Sequence, residues 1–195
     1  LYKYIMFISI GINCDIATIL RDKKLRTTSL PFDWICTPNG VHEIIENDFQ
    51  DFLTTEGKKK YNISFPHFTF PDDCSKIEER IKRFMDILNN TTEPIYFLRM
   101  GHEMHQCSRE RCDVKLSEML VDVLKKRFPK LTFKIIVFLA CGNCYIPKQE
   151  YKSTKEEVRF INISIGETLD MHEKFKIATK EILLLDKEKS TLNTN

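Results

Sequence analysis

Ile5-Met6-Phe7-Ile8-Ser9-Ile10-Gly11-Ile12-Asn13-Cys14-Asp15 is an apolar run of strand length, cut at Gly11 and followed by Ile16, Ile19 and Leu20 at helical spacing. A buried strand, a tight turn and a helix whose first turn carries Cys14 follow from that order. Downstream, Ile95 to Met100 and Phe133 to Leu139 are nearly continuous apolar segments, the pattern of strands buried on both faces of a parallel sheet. Val158 to Ile165 predicts another strand. Tyr61 to Phe68 predicts a short edge strand or extended segment, because Pro66 cannot sit in the middle of a sheet. Helices are predicted from Pro38 to Leu53 with Thr37 as N-cap, from Ser75 to Leu88 with a Ser75/Glu78 capping box, from Val114 to Phe128, and from Met171 to Leu185. Lys58 to Lys60 reads as a solvated loop. Strands alternating with helices predict an α/β fold with three layers: a mostly parallel sheet of about five strands and helices on both faces.

The 195 residues suffice for one substantial core, and no Pro/Gly/Ser-rich linker divides them, so residues 1–186 are expected to form a single domain and 187–195 a disordered tail. Thirty basic against 28 acidic residues are too evenly balanced to suggest a nucleic-acid partner. No apolar run reaches the ~18–20 residues needed to span a bilayer. Seven cysteines at irregular spacing fit free thiols in a reducing compartment better than a disulfide framework, so the expected location is cytoplasmic, the host cytoplasm if the protein is viral.

In parallel sheets ligands gather at the carboxyl ends of strands. Those ends carry Asn13 and Cys14, His67, the stretch from Arg99 to His102, Cys141 to Cys144, and Gly166 to His172. A cysteine at a helix N-terminus is favoured as thiolate by the free N–H groups there. Cys14 is therefore a candidate nucleophile, with His67, His102 or His172 as base and Asn13 as an oxyanion donor. Trp34 is either a pocket wall or a core anchor. Arg99 is expected to face the crevice, binding an acidic substrate group or pairing with Asp33, because an unpaired buried guanidinium is costly.

Ser9-Ile10-Gly11-Ile12-Asn13-Cys14, taken with Leu25-Arg26-Thr27-Thr28-Ser29-Leu30-Pro31-Phe32-Asp33-Trp34, resembles the signature of an uncharacterised family of bacteria and large DNA viruses that carries the label papain-like cysteine peptidase. Glu46 to Phe49 with Phe52, Phe65-Pro66-His67, and Ile95 to Arg99 resemble it as well. The resemblance implies Cys14 as nucleophile, His67 as base and Asp33 and Arg99 as further site residues; Ser9, Gly11, Trp34, Arg99 and His102, at or near the same strand ends, are the residues expected beside the substrate. Where an acidic residue is expected after His67 the chain has Phe68, so a carboxylate orienting the imidazole would come from Asp33, Asp72 or Asp73.

The expected function is a cysteine-dependent hydrolase, a peptidase or an acyl or peptidyl transferase, acting on a peptide, protein or acyl substrate without cofactor, metal, membrane or nucleic acid. One alternative is a catalytically inactive α/β scaffold protein, viral in origin. Another is an SGNH-like esterase with cysteine in place of serine and Asp170 and His172 as partners. Cys107, Cys112, Cys141 and Cys144, with His102 and His105, are the residues a structural zinc would use.

Overall fold

A computed structural model describes residues 5–37, 39–101, 112–139, 152–163 and 171–191. The chain runs β1 (Met6–Ser9), α1 (Asp15–Asp22), α2 (Val41–Glu46), α3 (Thr55–Lys60), α4 (Cys74–Asn90), β2 (Ile95–Met100), α5 (Asp113–Arg127), β3 (Phe133–Leu139), β4 (Val158–Asn162) and α6 (Met171–Thr191). The strands form one sheet in the order β1-β2-β3-β4, every pair parallel, with Met6 opposite Ile95, Ile95 opposite Phe133 and Ile135 opposite Val158.

Period-two alternation sends the strands' apolar side chains to two separate cores. Ile8, Ile95, Phe97, Ile135 and Val137 meet α2, α4 and α5 on one face. Phe7, Leu98, Met100, Ile136 and Phe138 meet α1 and α6 on the other. The apolar runs of β2 and β3 are therefore near-continuous because both of their faces are covered, and the expected three-layer α/β fold is present.

The sheet has four strands among the described residues rather than about five, because the segment from Tyr61 to Phe68 is not a strand. It makes one isolated antiparallel bridge, Ser64 against Cys36, and Pro66 prevents further pairing. The helix expected from Pro38 to Leu53 is short. It starts after Gly40, not Thr37, and stops at Glu46, because Asp48, Phe49 and Asp51 adopt left-handed φ of 52°, 60° and 59°. Those turns bring Phe49 and Phe52 against Phe32 and Phe84. Residues 58–60 form the end of α3 instead of a loop; Thr54 caps that helix by accepting from the Gly57 N–H at 3.0 Å. At α4 the N-cap is Asp73, whose carboxylate accepts from Thr69 N–H and not from the helix, so the Ser75/Glu78 box is not the cap. The last helix continues past Lys187 to Thr191.

Candidate active site

Cys14 is the N-cap of α1, directly beyond the carboxyl end of β1. The turn that delivers it depends on Gly11, whose φ is +89° and whose missing side chain leaves room for Thr37 Oγ1. Three segments are laid side by side at this edge. The Thr37 N–H donates to the Ile12 carbonyl at 2.9 Å, and Cys36 and Ser64 exchange backbone hydrogen bonds of 2.9 and 3.1 Å. The chain then runs from Ser64 to His67, whose ring meets Trp34 edge to face at 5.9 Å between centroids.

Arg99 ties this edge to the sheet. Its Nη1 donates to the carbonyls of Ile10 and Thr37, both at 3.3 Å, and its Nε lies 3.5 Å from Asp113 Oδ1. Arg99 is 5% exposed and Asp113 fully buried, so the guanidinium does not face an open crevice. Burial pulls its pKa down and Asp113 opposes that pull. The arginine is buried because it is paired, and its partner is Asp113, with Asp33 engaged elsewhere.

Asp33 is 1% exposed and pairs with Arg26; its Oδ2 also accepts from the Leu30 N–H at 2.7 Å. Burial pushes its carboxyl pKa up, against the pull of Arg26 and the Leu30 N–H. Arg26 further donates to Ser29 Oγ at 3.3 Å, and Trp34 Nε1 reaches the same oxygen at 3.5 Å. The guanidiniums of Arg21 and Arg26 each lie 5.3 Å from the Trp34 ring centre. The 25–34 segment is thus a self-bonded turn that carries the half-buried Trp34 against His67, and Asp33 is part of what holds it.

Around the sulfur, the Asn13 side chain accepts from the Asp15 N–H at 3.1 Å and donates to Asp15 Oδ2 at 3.0 Å. Asp15 also sits 3.4 Å from Lys174 Nζ of α6. The Asn13 amide is thus engaged with the start of α1. Burial is the main reason the Cys14 thiol pKa is raised. The negative charge of Asp15 adds to it, as does Cys36, while the residue's own N–H and Arg21 work the other way. At neutral pH the resting group is a thiol, so the helix terminus does not by itself outweigh desolvation and the adjacent carboxylate.

Ser9 ends β1 with its hydroxyl buried. Asp72 and Asp73 lie in the turn leading into α4. His102, His105, Cys107, Cys141, Cys144 and Asp170 fall outside the described residues, as does the side chain of His172. Cys112 is buried as the N-cap of α5. Among the described residues no group of three or more His, Cys, Asp or Glu side chains could hold a metal ion, and no helix is long and apolar enough to cross a membrane. Sequence reasoning missed three contributors: Cys36 beside Cys14, Asp113 under Arg99 and Arg26 on Asp33. Only Arg26 left a signal, since it lies within the same quoted motif.

Residues 5–67 match the model of a family described as "Putative papain-like cysteine peptidase". The matched span opens at β1 and closes on His67, and so contains the residues of the edge built above except Arg99, Asp113 and Lys174. No curated protein and no solved structure matches the chain.

Proposed function

We propose that this chain is a cysteine-dependent hydrolase of peptide or acyl carbonyls, acting in the cytoplasm, with Cys14 as nucleophile and His67 as its proton acceptor. The observation that carries the reading is the convergence of the Cys14 turn and the His67 segment on one strand edge through the Thr37–Ile12 and Cys36–Ser64 backbone bonds. The family matched by residues 5–67 supports it.

The raised thiol pKa dictates the form of the chemistry. Cys14 does not rest as a preformed thiolate, so its proton must leave as the sulfur attacks. Neutral His67 accepts that proton while the C–S bond forms, and the resulting imidazolium returns it to the departing nitrogen or oxygen. A water then attacks the thioester, His67 again takes a proton, and the carboxylic acid and free thiol are released. Trp34 orients the imidazole through its edge-to-face contact, and Asp33 acts at a distance by fixing the turn that carries Trp34.

A rival reading, an inactive scaffold that keeps the fold, draws support from the Asp15 carboxylate beside the thiol. Competitive labelling with a panel of acyl and peptidyl electrophiles, followed by peptide mapping, separates the two. The hydrolase reading expects Cys14 to label faster than the similarly half-buried Cys36 and Cys74, and His67→Ala to slow it. Equal rates at all three thiols, with no effect of His67→Ala, would establish the scaffold.

A further inference from the structure

A cavity of about 260 Å³ runs beside β1. It touches Ile5, Met6, Phe7, Ile8 and Ser9 in succession, and because consecutive strand side chains point to opposite faces, a cavity meeting all five lies along the strand's edge. That edge is the one not bonded to β2. Its far wall is the 24–28 turn with Leu30 and Asp33.

The hydrogen-bonding character of the edge follows from the register. The Met6 N–H donates to the Pro94 carbonyl at 2.9 Å and the Ile10 N–H to that of Leu98 at 3.0 Å. Even-numbered residues of β1 therefore face β2, and Phe7 and Ser9 turn their N–H and C=O groups toward the cavity. Ser9 is 1% exposed, and its Oγ has no hydrogen-bond partner among the described residues. Buried donors and acceptors of this kind are almost always paired in a working state. The charges are complementary to an acid: Arg26 and Asp33 neutralise each other, while the exposed Lys24 forms no ion pair among the described residues.

We propose that this groove docks an extended peptide, with apolar side chains and one acidic residue, as an added strand along β1. Alternating outward amides at Phe7 and Ser9 demand a ligand with donors and acceptors at strand spacing, which a peptide backbone supplies and an apolar small molecule does not. The inference deepens the hydrolase reading by naming its substrate class, since β1 leads straight into the Cys14 turn.

The test uses a fluorescent, end-capped hexapeptide of valine and isoleucine with one glutamate, and two N-methylated forms blocking either its odd or its even amides. Strand pairing predicts that one methylated form binds at least about tenfold more weakly while the other stays within about twofold. Saturating peptide slows amide exchange at Phe7 and Ser9 and leaves Ile8 unchanged. Lys24→Glu weakens binding, and exchanging the peptide's glutamate for lysine restores it. Equal effects of the two methylations would assign the cavity to an apolar small molecule and overturn the proposal, as would no binding up to about 1 mM or unchanged exchange at Phe7 and Ser9. Peptide binding without selective Cys14 labelling defeats only the hydrolase reading, and selective labelling without peptide binding defeats only the groove.

Discussion

Replacing Arg99 by methionine removes the guanidinium that Ile10, Thr37 and Asp113 share, while keeping an unbranched apolar stem in its place. Arg99 is 5% exposed and Asp113 fully buried, so the variant leaves a carboxylate without its nearby cation inside the protein. Breaking a buried pair from one side costs about 3–5 kcal/mol. For a chain of this size, that lowers Tm by about 6–20 °C at about 2–4 °C per kcal/mol. Adding Asp113→Asn to Arg99→Met removes the carboxylate that faced the guanidinium and recovers more than half of the loss. Urea unfolding followed by circular dichroism, on wild type, both single variants and the double, closes the cycle. A loss below about 1 kcal/mol, the size of a surface ion pair, would show that the arginine is not a structural strut. Strictly additive single effects would show the same. An arginine that bound substrate would instead leave Tm in place and raise KM.

Gly11→Ala places a side chain at φ +89° and into Thr37 Oγ1, so a loss of at least about 1–3 kcal/mol is expected by the same unfolding assay; adding Thr37→Ala relieves the overlap and leaves the backbone penalty. Asp15→Asn removes the charge that raises the Cys14 thiol, so alkylation of Cys14 at pH 7.5 should quicken relative to Cys36, and an unchanged ratio would deny Asp15 that role. Burial lowers the pKa of His42, with Glu43 opposing. The unfolded chain, with an ordinary histidine, therefore takes up the proton first, and stability at this residue is intact above pH ~6.5 and falls as pH drops below it. His42→Leu should flatten that acid limb, read from urea midpoints between pH 7.5 and 5.

The layers were legible because β2 and β3 are covered on both faces, which makes their apolar runs continuous, and because α4 and α5 keep their 3.6-residue stripes over several turns. The region from Pro38 to Lys60 was not. Its apolar residues suit a helix, but Asp48, Phe49 and Asp51 turn left-handed to seat two aromatics in the core, a tertiary gain that overrides local periodicity. Cys14 at the start of α1 could be read from the glycine and the spacing that follow β1. Its protonation could not, because desolvation and the contacts of Asp15 depend on α6, more than a hundred residues away. The sequence shows that Arg99 needs a counter-charge, since an unpaired buried guanidinium is costly, but not that Asp113, at the start of the next helix, folds back to meet it.

The strand order β1-β2-β3-β4 never reverses direction among the described residues. Open α/β sheets ordinarily find their crevice where two neighbouring strands send their connections to opposite sides, and a monotonic order provides no such switch point. Any crevice at this edge must be assembled from loops standing on the end of the sheet. The rigidity a cleft floor would supply then falls to a few cross-loop ties: the Arg99 fork, the Cys36–Ser64 bridge and the Thr37–Ile12 bond. Insertions between those ties can reshape the edge without disturbing the sheet, whereas loss of one tie frees a whole loop. The span from β1 to His67 is accordingly sewn into the rest of the fold at several points: β1 by its pairing with β2, the cross-loop edge by Arg99, and the turn after α2 by Arg127.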